Sequence, residues 1–254
     1  MSLQFHLKIN KEMIKGASIA LIPGDPARAK EIASSLDGME FLAANREFSS
    51  YLGFRNGTPI VVCSTGIGGP STSIVVEELA EIGIKTFLRL GTTGAISKNV
   101  AIGDVIITTA SVRLDGASLH FAPLAYPAVA NFECLSALSK SANQVLNSKN
   151  IHMGITASSD TFYPGQERYD TFSGYVRKDY QGLLKEFKKL NVLNYEMESA
   201  TLYTACSTLG LKAAMIAGVL INRNAMGETP DEAVVSKVEE SIIAIGIKAL
   251  DYLI

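Results

Sequence analysis

Apolar residues in this chain fall into short continuous runs separated by polar, glycine-bearing stretches. The runs at 18–22, 59–64, 86–90, 104–109, 151–157 and 213–221 are too short for helices and rich in β-branched residues, which predicts strands. Within 59–64, Ile60, Val61 and Val62 are apolar at successive positions, the pattern of a strand covered on both faces. Helices are predicted between the runs. Pro23-Gly24-Asp25-Pro26 opens one, with Asp25 as cap and Pro26 at the first helical position. Residues 71–82 form a second, after the glycine-rich turn Thr65-Gly66-Ile67-Gly68-Gly69-Pro70. A third opens in 194–200, with Glu196 and Glu198 at its start, where the helix dipole favours acids. Thr229-Pro230-Asp231-Glu232 reads as a capping box heading the last helix. Val238, Ile242, Ile245, Ala249 and Leu253 give that helix one apolar stripe and a structural role.

Strand and helix alternate at intervals of about 30 residues in the first half, which argues an α/β fold with a mainly parallel sheet and helices on its faces. No repeat, low-complexity tract or linker interrupts the chain, so a single domain over 1–254 is expected. Residues 111–132 are polar, proline-bearing and aromatic, and are expected to cover one sheet end as a long excursion.

Hydrophobic residues make up 47% of the chain and charged residues 19%, enough apolar material for a large core. The net charge is −2, with a pI of 6.0. Bulk electrostatic binding of nucleic acid or an anionic membrane finds no support there, so any anion site must be local. The first residues show no charged region followed by an apolar core, and 213–221 is about half a membrane span. Cys63, Cys134 and Cys206 are odd in number and widely spaced, without a disulfide framework or zinc pattern. A reduced, cytoplasmic setting is expected.

Candidate chemistry starts at Arg89-Leu90-Gly91-Thr92-Thr93-Gly94-Ala95, where a strand carrying an arginine breaks into glycines and threonines. Ligands of open α/β sheets gather at the carboxyl ends of strands. Glycine admits a close backbone approach, and a guanidinium offers a planar fork to an oxyanion. Taken alone, the stretch reads first as a tight turn beside a snorkelling arginine, and as a ligand site only with what the rest of the chain adds. Arg28 falls in a helix's first turn, the wrong end of the dipole for a cation; it either points to solvent or meets a bound anion. Arg46-Glu47 reads as a surface ion pair or as part of a site. Between 158 and 170, Phe162 can stack on a flat ring, while Gln166 and Arg168 offer the donors and acceptor that an amide-like heterocycle would use. A well-bonded surface loop is the alternative. One carboxylate in 194–200 can accept two hydrogen bonds from a vicinal diol. Asn222 to Glu228, polar and glycine-bearing, reads as a lid.

Taken together, Gly24-Asp25-Pro26, Arg46-Glu47-Phe48, 64–73, Arg89–Ala95, 109–123, 156–170, 195–200 and Asn222-Arg223 resemble the nucleoside phosphorylase family of trimeric and hexameric enzymes, in its uridine branch. Purine members carry an aspartate after the strand before the lid, where this chain reads Ile221-Asn222-Arg223. The related nucleosidases lack the arginine set present here as Arg28, Arg46 and Arg89. The resemblance implies a single-domain three-layer α/β/α fold with a mixed, mainly parallel sheet. It implies phosphorolysis of uridine to uracil and ribose 1-phosphate, with inorganic phosphate as co-substrate and no organic cofactor. Gly24, Arg28, Arg89 and Thr92 would bind phosphate, with Arg46 reaching a neighbouring subunit's site. Met197 and Glu198 would hold ribose, and His6 its 5′-hydroxyl across a dimer interface. Phe162, Gln166 and Arg168 would take uracil, with Arg223 assisting from the lid, 224–231. Glu47, Ile67 and Ser71 would hold a monovalent cation, commonly potassium, at the dimer interface. The expected assembly is a hexamer of three dimers. Broader pyrimidine specificity, including deoxynucleosides, and a nucleoside-binding protein without catalysis are the alternatives.

Overall fold

The computed structural model describes residues 2–224 and 231–254. In chain order the elements are β1 (Ile19–Leu21), α1 (Pro26–Ser34), β2 (Asp37–Asn45), β3 (Phe48–Arg55), β4 (Thr58–Cys63), α2 (Gly69–Ile82) and β5 (Thr86–Ala95). There follow β6 (Val105–Leu114), β7 (Ala128–Val129), α3 (Phe132–Val145), β8 (Ile151–Ser159), α4 (Leu183–Lys189), β9 (Asn194–Glu196), α5 (Ser199–Thr208), β10 (Lys212–Asn222) and α6 (Glu232–Leu250).

Alternating side chains on the central strands build two cores. Phe87 of β5 and Met215 of β10 pack with Val75, Val76 and Leu79 of α2 and Leu202 of α5. Their neighbours Leu88, Leu90 and Ile216 face the other way, onto Ile32 of α1, Leu138 of α3 and Ile242 and Ile245 of α6. The period of two along each strand therefore puts helices on both faces of the sheet.

The sheet is mixed, in the order β10-β6-β8-β9-β5-β1-β4-β3-β2, and its longest registers, β10 on β5 and β6 on β8, are parallel. Because β10 pairs with both β6 and β5, the strands β5, β10, β6, β8 and β9 close into a ring. Closure leaves none of these five as a terminal edge strand. On the other side β5 pairs with β1 through Leu88 and with β9 only from Gly94. From Arg89 to Thr93 it has a described partner on one edge alone, β10. That interval is a topological switch point.

Helix α6 is set close against this strand pair. A Cβ on Gly218 of β10 would lie 2.0 Å from Val238 Cγ1, and one on Gly246 would lie 2.5 Å from Leu90 Cδ1. Only glycine allows these approaches.

Several expectations change. The Gly91-Thr92-Thr93-Gly94 turn is strand, since β10 supplies a ladder partner throughout. The sequence 37–55 forms the β2–β3 hairpin, with Arg46 at its turn in a left-handed conformation (φ 55°). β6 runs on to Leu114 and α3 begins at Phe132, so the polar excursion is shorter than 111–132 and carries β7. Asn194–Glu196 is a strand rather than the start of a helix, held by β5 and β8. The run at 213–221 is the strand β10, and no helix among the described residues is long and apolar enough to cross a membrane. Asp25 caps α1 as expected, accepting from Ala27 N at 2.7 Å. The cap of α6 is Asp231, accepting from Ala233 N at 2.9 Å; Thr229 and Pro230, and residues 225–230 of the candidate lid, lie outside the described residues.

The far ends of β6 and β8 are tied by Asp104, which accepts from Ala101 N (2.8 Å) and Asn150 Nδ2 (2.7 Å) and lies 2.8 Å from His152 Nε2. Burial acts to raise its pKa, but these hydrogen bonds and His152 outweigh burial and hold it below the usual carboxylate range. A depressed carboxylate stabilises the fold above its unfolded pKa and loses that contribution as pH falls through the folded one. Asp104→Asn is expected to lower the unfolding free energy by about 1–3 kcal/mol at pH 7. In urea titrations the gap from the parent should narrow as the pH drops below about 4.

Candidate active site

Around the one-edged interval of β5 lies a cavity of about 1220 Å³. Its floor is Arg89, Gly91, Thr92, Thr93 and Gly94. Its walls come from the start of α1, the turn before α2, the 162–170 loop, residues 195–198 and the end of β10.

At one end are the glycines and arginines. A Cβ on Gly24 would meet Gly66 O at 3.2 Å and Arg89 Nη2 at 3.3 Å, and one on Gly66 (φ +68°) would meet Glu47 Cγ at 2.7 Å. Backbone at Gly24 therefore comes up to the guanidinium, and backbone at Gly66 to Glu47, with little room for a side chain at either. Arg89 is buried, Nη1 donating to Thr65 Oγ1 at 2.9 Å and Nη2 pairing with Glu198 Oε2 at 2.6 Å. Its Nε is buried with no hydrogen-bond partner among the described residues. Arg28 neither reaches solvent nor stands alone. It is 9% exposed, lines the cavity, and is bonded to Glu239 of α6.

The two glutamates of 194–200 separate in role by geometry. Glu196 turns back on the chain, accepting from Glu198 N (2.9 Å), Ser199 N (2.9 Å) and Ser199 Oγ (2.5 Å). Burial, and then repulsion from Glu198, raise its pKa. Glu198 takes Gly68 N on one oxygen (2.7 Å) and presents the other to Arg89. Met197 lies between them on the cavity wall.

The opposite end holds the aromatic and amide groups. The Arg168 guanidinium stacks 4.2 Å from the Phe162 ring centroid, a cation–π contact. Gln166 is 2% exposed and lines the cavity. Burial lowers the pKa of Arg168, whose Nε also has no partner among the described residues. Arg223 is not a wall residue. It donates to Gln166 O at 2.6 Å and Glu167 O at 3.2 Å, over the face of Tyr195. Glu167 in turn accepts from Gly182 N (2.5 Å) and Leu184 N (2.6 Å) at the head of α4. The loop is thus pinned from two sides, and Gln166 and Arg168 project from a fixed backbone.

Arg46 and His6 stand outside this chain's own cavity. Arg46 is exposed at the hairpin tip, and His6 Nδ1 lies 2.6 Å from Glu78 Oε1. Glu47, Ile67 and Ser71 gather around Gly66, with Ser71 Oγ donating to Ile67 O at 3.1 Å. Among the described residues no cluster of three His, Cys, Asp or Glu suits a metal ion.

Sequence reasoning missed Thr65, Tyr195, Leu220, Ile221 and Glu239. Leu220 and Ile221 carried no signal beyond that of a buried strand. Asn194 was also missed as a support. Thr108 Oγ1 meets Thr156 Oγ1 at 2.7 Å, Thr156 donates to Asn194 Oδ1 at 2.9 Å, and Asn194 Nδ2 donates to Thr93 Oγ1 at 2.8 Å. Thr93 passes the chain on to Tyr195 O at 2.6 Å. This buried ladder crosses four strands and fixes the cavity floor.

A switch-point cavity with arginines and close-packed glycines at one end, a carboxylate in the middle and a stacked aromatic with an amide at the other defines an α/β enzyme for a small anion and a polar, ring-bearing molecule. Comparison gives the family: residues 18–251 match the family described as the Phosphorylase superfamily, and the chain belongs to it. It is 60% identical over 256 residues, covering all of both chains, to a uridine phosphorylase of Haemophilus influenzae. It is 54% identical over 245 residues, 96% of each chain, to a uridine phosphorylase of Escherichia coli. A guanosine phosphorylase of Halorubrum lacusprofundi is 34% identical over 245 residues.

Asn194→Ala would leave the Thr156 and Thr93 hydroxyls without their shared partner. Urea unfolding should show a loss of about 2 kcal/mol, with a larger effect than alanine at the exposed Asn143.

Proposed function

We propose that this chain catalyses the phosphorolysis of uridine to uracil and ribose 1-phosphate. The observation that carries the reading is the Arg89–Glu198 pair. It joins an arginine and glycine cradle to a carboxylate, in one cavity with the Gln166 and Arg168 end. The near-identity in length and high identity to the uridine phosphorylases support the choice of substrate.

Gly24, Arg28, Arg89 and Thr92 bind phosphate, the guanidinium forks matching its oxygens. Glu198 accepts from the ribose 2′ and 3′ hydroxyls beside Met197. Phe162 stacks on uracil, while Gln166 and Arg168 address its edge and Arg223 holds their backbone. Phosphate is already an anionic nucleophile and needs no side chain to activate it. The enzyme's task is placement beneath C1′, worth about 7–11 kcal/mol through effective molarity. The ribose passes through an oxocarbenium-like state as the C1′–N1 bond breaks, and the phosphate oxygen forms the new bond. Negative charge grows on the departing uracil, where Arg168 and Gln166 stabilise it in the manner of an oxyanion hole. No organic cofactor enters.

Arg46, exposed at the hairpin tip, and the half-buried His6 lie outside this cavity, which agrees with the reading that they complete a neighbour's site and that the minimal active unit is a dimer. A single domain per chain assembles as a hexamer of three dimers, in a cytoplasmic setting. The Glu47 carboxylate, Ile67 carbonyl and Ser71 hydroxyl offer oxygen donors only, which suits a hard cation such as potassium at the dimer interface.

Uracil release from uridine should require inorganic phosphate, and inosine should not be cleaved. Release without phosphate would overturn the reading. Arg168→Ala is expected to lower kcat by about 10²–10³ while leaving phosphate affinity near the parent value. Normal turnover with poor phosphate affinity would remove Arg168 from the uracil end.

A further inference from the structure

We infer that Glu239 is a positioning residue for phosphate, acting through Arg28; the inference rests on the phosphate role proposed above for Arg28. Helix α6 was expected to be structural only. It nevertheless brings an acid to Arg28, a cavity residue, from 211 positions further along the chain.

Arg28 needs such a partner. It sits in the first turn of α1, where the helix dipole repels a cation, and its side chain is only 10% exposed. Glu239 Oε1 takes Nε at 3.1 Å and also Nη2. A guanidinium is a rigid planar fork, so occupying the Nε–Nη2 edge fixes its plane and turns Nη1 away from that edge. Arg28 lines the cavity beside Gly24, Thr92 and Arg89. Glu239 follows Val238, which fills the notch at Gly218 of β10, the residue paired with Thr92. The position of the phosphate arginine is thereby referred to the β10–α6 contact.

The electrostatics make the inference sharp. A carboxylate this close to an anion subsite repels the anion. If Glu239 were merely a nearby charge, removing it would tighten phosphate binding. If it orients Arg28, removing it weakens phosphate binding despite the lost repulsion.

Glu239→Ala and Glu239→Gln separate the two. With uridine saturating, Glu239→Ala should raise the KM for phosphate about tenfold. Its KM for uridine, and kcat at saturating phosphate, should stay within about twofold of the parent. Glu239→Gln keeps an acceptor oxygen and should fall between the two; it carries the test if the alanine variant fails to fold. In an Arg28→Ala background Glu239→Ala should add nothing, the signature of action through one partner. A KM for phosphate that is unchanged or lower in the single variants, or a full further loss on top of Arg28→Ala, overturns the inference. Parent enzyme that releases uracil without phosphate would instead sink the phosphorolysis reading itself.

Discussion

Between Leu88 and Gly94, β5 pairs with β10 on one edge and leaves β1 behind before it meets β9. The site depends on that gap. A strand paired on both edges would spend its backbone on ladders and admit no ligand beside it. Here β10 keeps β5 extended through two glycines that disfavour strand, and ring closure through β6, β8 and β9 keeps β10 in place. The threonine and asparagine ladder under the floor then ties the ring's strands to one another where side chains face inward.

Two of the cavity's arginines are held by carboxylates: Arg89 by the buried Glu198, and Arg28 by the half-buried Glu239. A buried pair such as the first adds little net stability, because desolvation offsets the attraction, yet losing one partner costs about 3–5 kcal/mol. Both pairs are better understood as orienting devices. Each fixes a planar guanidinium that lines the cavity. At the other end the same task is done differently. Arg223 and Glu167 use backbone carbonyls and amides to pin the loop, and Arg168 rests on an aromatic face.

Much of this was legible beforehand. The apolar runs marked β1, β4, β8 and β10 within a residue or two, and Asp25-Pro26 marked the start of α1, because these are local signals of burial period and capping. The glycine-rich turns and the 158–170 stretch pointed to the cavity because they combine residue types that are expensive to leave unexplained. The β2–β3 hairpin and α3 were not anticipated. Alternation in β2 is blurred by bulges and exposed apolar residues such as Phe41, and α3 hides behind a polar, proline-bearing approach.

Sequence alone thus determined the layered α/β character, which follows from short-range pattern, and supplied the candidate residues, most of them through the family resemblance. Tertiary structure alone decided what holds each glutamate of the cavity wall. Glu196 and Glu198 are two residues apart and chemically alike, but one is turned onto the head of α5 and the other onto Arg89. It also decided that Arg28 is neither solvated nor unpaired, because its partner comes from α6 at the far end of the chain. A contact across 211 residues leaves no trace in local periodicity; the packing of α6 on the sheet, with Val238 at Gly218 and Gly246 at Leu90, brings it about.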